Sequence, residues 1–229
     1  MPGIRNVGAL ALGGIALAAL LAVIGHLGVR DLDPVSLTVS DYAVSDSGGA
    51  IHLAMLTLAV ASALLVPALR RLGVPGAHAG RLGAAQLLLA AWAGGLLLAG
   101  LVPTNVPGTE MGTAAYVHRY ASVVAFLALP VVGWLLAAQL PTGVRTRRWL
   151  RVLTLASLLL VAAQVWSAYP GDRAYYGLIE RALILTEVAL LTLLAAGLPT
   201  RSRGWSGRQG QSGPAVTPVR GASVGGRPR

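Results

Sequence analysis

Six stretches of this chain stay apolar for about 18 to 23 residues, long enough for a helix to cross a hydrocarbon core of roughly 30 Å. They fall near residues 7–29, 50–70, 82–102, 118–139, 150–169 and 179–198. Lipid offers a polar backbone no partner, so each stretch is expected to close its own hydrogen bonds as a helix. With 55% hydrophobic and 11% charged residues, the 229-residue chain has too little polar surface to fold as a soluble globule. The first stretch is long and five more follow it, so it is read as a retained helix and not as a cleaved signal. The expected fold is all-α: a polytopic membrane bundle of six transmembrane helices over residues 1–198. Residues 199–229, rich in Arg, Gly and Pro and poor in apolar side chains, are expected to be a disordered cytoplasmic tail.

The charges between the stretches sort by sign. The odd connections and their borders hold Asp31, Asp33, Asp41, Asp46, Glu110, Asp172 and Glu180, whereas the even connections and both ends hold no acid. Arg5, Arg70, Arg71, Arg81, Arg145, Arg147, Arg148, Arg151 and the six arginines of the tail lie on the other side. Only Arg30, Arg119, Arg173 and Arg181 fall among the acids. By the positive-inside rule this is a multi-pass protein of the cell membrane with both termini cytoplasmic and the odd loops outside. The net charge of +10 therefore sets orientation and meets anionic membrane lipids, and nucleic acid is not an expected partner. Without cysteine there is no disulfide, thiolate nucleophile or thiolate metal site, and without lysine there is no Schiff base.

The even spans share a pattern at their outer ends. Each opens on an ionisable group: His52 in GGAIHLAML, His118 in AAYVHRYAS, and Glu180 with Arg181 in YGLIERALI. The pattern suggests three repeats of one helical hairpin. Pro67 and Pro130 lie inside the second and fourth spans, where the missing N–H favours a kink. Gly94, Gly95 and Gly100 in the third span are expected to allow close helix packing.

Candidate functional residues are the polar groups that lipid would tolerate least. Glu187 lies mid-span in the sixth stretch, where a lipid-facing carboxylate costs about 2.5–3.5 kcal/mol or more, so it is expected to be protonated or paired inside the bundle. His26, His52, His118, Arg119, Gln164, Glu180 and Arg181 collect at the outer ends, where they are placed to line an outward-facing polar pocket. Glu187 and His118 are the candidate acid and base, because carboxyl and imidazole groups deliver protons in a dry site. His26, His52, Asn105, Arg119, Gln164, Glu180 and Arg181 are the candidate substrate contacts, the arginines for an anionic headgroup. No two histidines sit three or four residues apart on one helix, so no metal site is expected, and no cofactor is implied. The loops DLDPVSLTVSDYAVSDSGG and VPTNVPGTEMGTAAY look ordered by their turn residues. All six tyrosines fall on the outer side, as an aromatic belt would.

LDPVSLTVSDYAV after the first span, VPTNVPG followed by a histidine at the head of the fourth, and YYGLIERALILTE opening the sixth together resemble the bacterial membrane family called domain of unknown function 998. The resemblance covers residues 7–198 in order. It implies a six-helix membrane protein of a kind frequent in actinobacteria, without a settled activity. Where that family commonly has an acid, this chain has Asn105.

Three functions fit these residues. One is a membrane enzyme acting on a lipid or isoprenoid by proton transfer or cyclisation. Another is a non-enzymatic protein that binds lipid, assists export or scaffolds a partner. The third is a small proton-coupled transporter in which Glu187 relays the proton. A diphosphate-ionising enzyme is disfavoured, since the acids are scattered and no DDxxD cluster is present.

Overall fold

The computed structural model describes residues 4–29, 32–45, 48–70, 79–140 and 142–198. The expected tail lies outside the described residues, as do Arg30, Asp31, Asp46 and Arg71. The elements are α1 (Ile4–Gly28), α2 (Val39–Ala43), α3 (Gly49–Arg70), α4 (Ala79–Leu101), α5 (Thr113–Ala137), α6 (Val144–Ala168) and α7 (Tyr176–Gly197). All but α2 are 22 to 25 residues long, or about 33–38 Å at 1.5 Å per residue.

Five of them, α1, α3, α4, α5 and α6, are long and apolar enough to cross a membrane. The sixth long helix, α7, carries Glu180, Arg181 and Glu187 within its 22 residues. The protein is thus an all-α, multi-span membrane bundle. Its outer surface is what a lipid solvent permits: Leu87 is 75% exposed and Leu159 71%. In water such a coat of leucines would carry a penalty of about 25 cal/mol per Å² of apolar area.

Each long helix packs on the next in the chain, and α7 returns to touch α1 as well as α5, which closes a ring. The α1–α7 seam is the most sparsely packed of that ring. Gly8 near the start of α1 lies against the carbonyl of Ala195 near the end of α7, so these two ends share one side. The interior holds alanines where helices approach, such as Ala61, Ala68, Ala85 and Ala125, with Leu65, Leu89, Leu129 and Leu190 filling between them. Of the three glycines expected to aid packing in α4, Gly95 does so most plainly. A methyl there would stand 2.6 Å from the carbonyl of Ala121 on α5, and one at Gly100 would stand 3.0 Å from Leu56, whereas Gly94 faces open space. Trp92 crosses from α4 to α3, its indole N–H donating to Ser62 Oγ at 3.0 Å.

The helices differ from the expected spans at their heads. Thr113 opens α5 five residues earlier than the apolar run predicts, and Val144 opens α6 six residues earlier, which puts Arg145, Arg147 and Arg148 on the helix. Hydropathy marks only the part of a helix that lies in hydrocarbon. The backbone continues to coil into the interface, where tyrosine and arginine are good residents. Pro67 and Pro130 sit within α3 and α5, which are continuous through them.

The short α2 was not foreseen, although its loop was expected to be ordered. Thr38 caps it: Oγ1 accepts from the Asp41 N–H at 3.1 Å while Asp41 Oδ2 accepts from the Thr38 N–H at 2.8 Å. This reciprocal pair is a capping box, and it makes a single helical turn persist between two spans.

Candidate functional site

The chain folds α2 across one end of the ring, and α1, α5 and α7 hold it there. Glu180, buried in the first turns of α7, accepts the Val39 N–H of α2 at 2.9 Å. Arg181 beside it donates through Nη1 to the carbonyls of Pro34 at 2.9 Å, Leu37 at 2.6 Å and its own helix at Gly177, 3.0 Å. Its guanidinium lies 4.7 Å from the Tyr42 ring centre. Gly177 makes this approach possible, since any side chain there would collide with the Leu37 carbonyl.

His26 of α1 completes the clamp. Its ring stacks on Tyr42 with centroids 5.0 Å apart. Nδ1 bonds the Ala22 carbonyl at 2.8 Å, and Arg181 Nε donates to Nε2 at 3.2 Å. A carbonyl only accepts and a guanidinium only donates, so the His26 proton resides on Nδ1. Tyr42, expected in the aromatic belt, is instead 2% exposed, with its hydroxyl donating to the Leu32 carbonyl at 2.6 Å. Burial pushes the Tyr42 phenol above its ordinary pKa, against the pull of Arg181. At the loop's exposed edge Asp33 accepts from the Ser36 hydroxyl and from the N–H groups of Ser36 and Val35, which holds its carboxyl below the usual range.

His118 ties α5 to the same element. It is 5% exposed, with Nδ1 2.8 Å from the Val102 carbonyl at the end of α4 and Nε2 2.8 Å from Ser40 Oγ on α2.

Beneath α2 lies a cavity of about 410 Å³, within the roughly 300–1,000 Å³ typical of small-ligand sites. Its walls are apolar, among them Ala18, Met55, Trp92, Phe126 and Ile184, and its polar groups are His26, Ser40, Ser122, Glu180 and Arg181. Val23 and Leu27 on α1 and Leu185 on α7 stand at its edge and are 55%, 70% and 71% exposed. Exposed side chains of both α1 and α7 are thus part of its lining. Among the described residues the buried Nη2 of Arg181 has no hydrogen-bond partner.

The other sequence candidates lie elsewhere. Arg119 is exposed, and His52 is half-buried in the first turn of α3, off the cavity wall. Asn105 folds its own loop, donating to the Val106 and Thr109 carbonyls. Gln164 is half-buried on α6, outside the cavity lining, with its side-chain oxygen unpaired among the described residues. Glu187 is fully buried, but it does not line the cavity, and among the described residues neither of its oxygens has a partner. The hydroxyls of Thr154 and Ser157 on α6 are equally buried and, among the described residues, unpaired. Among the described residues no three His, Asp or Glu side chains gather as a metal set.

Ser40 was missed. The pattern Thr38-x-x-Asp41 could have revealed the helix that presents it, since a hydroxyl residue three before an acid marks a helix start.

Residues 12–197 match the family described as Protein of unknown function (DUF998). The chain belongs to that family. For this DUF998 protein, no curated protein and no solved structure matches. The matched span runs from the first turns of α1 to the end of α7, so it takes in every residue of the clamp and the cavity.

Proposed function

We propose that this protein is a six-span membrane enzyme that draws a lipid or isoprenoid amphiphile from the bilayer into the cavity under α2, with His118 as its acid–base group. The supporting observation is a largely apolar cavity whose lining includes exposed side chains of α1 and α7 together with charged and hydroxyl groups. An acyl or prenyl chain suits the apolar walls, and the charge of Arg181 in the cavity lining suits an anionic or acceptor oxygen in the headgroup. In this scheme α7 is the sixth span despite its charges, because Glu180, Arg181 and Glu187 turn inward. Both termini lie in the cytoplasm, and α2 covers the outer end, in keeping with the arginine distribution. His52, His118 and the Glu180–Arg181 pair head α3, α5 and α7 at one end, as three descendants of one hairpin would.

A non-enzymatic lipid-binding role is the second reading. It is favoured by how many bonds of Glu180, Arg181 and His26 go to holding backbone.

The test is to purify the protein in mild detergent and identify lipids that remain bound. The intact chain should retain a defined amphiphile, and Ala22→Trp, which fills the cavity wall, should release it while the protein stays folded. Equal retention by both would sink the proposal.

A further inference from the structure

We propose that Ser40 and His118 form a nucleophile–base dyad that opens the carboxylic ester of an acyl lipid lodged in the cavity, an inference that rests on the amphiphile-binding reading above.

The geometry carries it. The Val102 carbonyl can only accept, so His118 Nδ1 holds the ring proton and Nε2 presents a lone pair to Ser40 Oγ at 2.8 Å. A hydroxyl, an imidazole in the accepting tautomer and a third group that orients the imidazole are the three parts of an activated serine. Ordinary helical hydroxyls in this protein behave otherwise. Ser62, Ser122, Thr186 and Thr192 each donate to the carbonyl four residues back. Ser40 has His118 instead, brought from 78 residues away. It lines the cavity, while His118 lies behind it, shielded from solvent. Ser122, the other hydroxyl on that wall, already bonds the His118 carbonyl.

This tautomer also selects the reaction. A lone pair facing the cavity wall makes His118 a base, which suits acyl transfer to an oxygen nucleophile and not protonation of an alkene. As Ser40 Oγ bonds to the ester carbonyl carbon, its proton passes to His118 Nε2, and the carbonyl oxygen gains the negative charge. Arg181, which also lines the cavity, supplies positive charge toward that oxyanion. Collapse breaks the bond to the alcohol, which leaves with the proton from His118. Water then attacks the acyl-serine, gives its proton to His118 and releases the fatty acid as Ser40 regains its hydrogen. Ester and water become acid and alcohol.

The full chain in membranes is treated with a dodecyl fluorophosphonate bearing a fluorescent reporter, and the labelled peptide is mapped by mass spectrometry. Bound lipid is measured in the same samples. Labelling should fall on Ser40, vanish in Ser40→Ala and slow by on the order of 100-fold in His118→Gln. If Ser40→Ala fails to fold, the peptide map of the intact chain alone assigns the residue. Folded intact chain that keeps its lipid but is not labelled, or is labelled elsewhere, overturns the dyad and leaves the cavity reading standing. Loss of both labelling and bound lipid overturns both.

Discussion

Arg181 concentrates more of the architecture than any other single side chain. Its guanidinium reaches two loop carbonyls, its own helix, His26 and the face of Tyr42, and all of these lie on one side of α7. A planar fork with five N–H groups can do this, and a lysine ammonium on a longer stem cannot. Arg181→Lys, which keeps the charge, is expected to destabilise the protein by about 2 kcal/mol, since two or more charge-assisted bonds are lost. Thermal unfolding in detergent measures that, and a melting point equal to the parent's would show that the clamp is not held by this geometry. Glu187 presents a contrasting case. Its burial inside the bundle was legible from its place in an apolar run, but its separation from the cavity was not. It is fully buried but is not among the residues that line the cavity, so proximity in sequence to Arg181 did not make it part of the candidate site.

At the scale of elements, the closeness of α4 and α5 depends on one atom that is missing. Gly95 lets the Ala121 carbonyl approach to where a methyl would collide, and Gly94, one residue away, faces open space. Gly95→Val is expected to cost about 1–3 kcal/mol through displacement of α5. Gly94→Ala should be tolerated or slightly stabilising because alanine is the better helix former. Comparing the two variants' melting temperatures checks the assignment, and a reversed order would refute it. The same scale explains α2. A five-residue helix is far too short to persist alone, and it survives through its capping box and through bonds from α5 and α7. Those bonds in turn bring Ser40 to the cavity wall.

For the whole molecule, the charge pattern predicts which end faces out, and the absence of native cysteine makes that directly measurable. A membrane-impermeant maleimide applied to intact cells should label Thr109→Cys, in the α4–α5 loop. It should leave Gly143→Cys, at the head of α6, unlabelled until the membrane is opened. The reverse pattern would invert the topology. Helix order, the multi-span character and the acid–arginine asymmetry are written in local composition, because bilayer thickness and loop charge act on each segment separately. His26, His118, Glu180 and Arg181 could also be picked out locally, since ionisable groups at span ends are conspicuous in an apolar chain. Their partners could not. Ser40, the Val102 carbonyl and Tyr42 were unremarkable residues of ordered loops and belts. What brings them together as a candidate site is the ring closing α7 onto α1 and drawing α2 over the cavity. That closure depends on side-chain packing between segments more than a hundred residues apart, which no window along the chain contains.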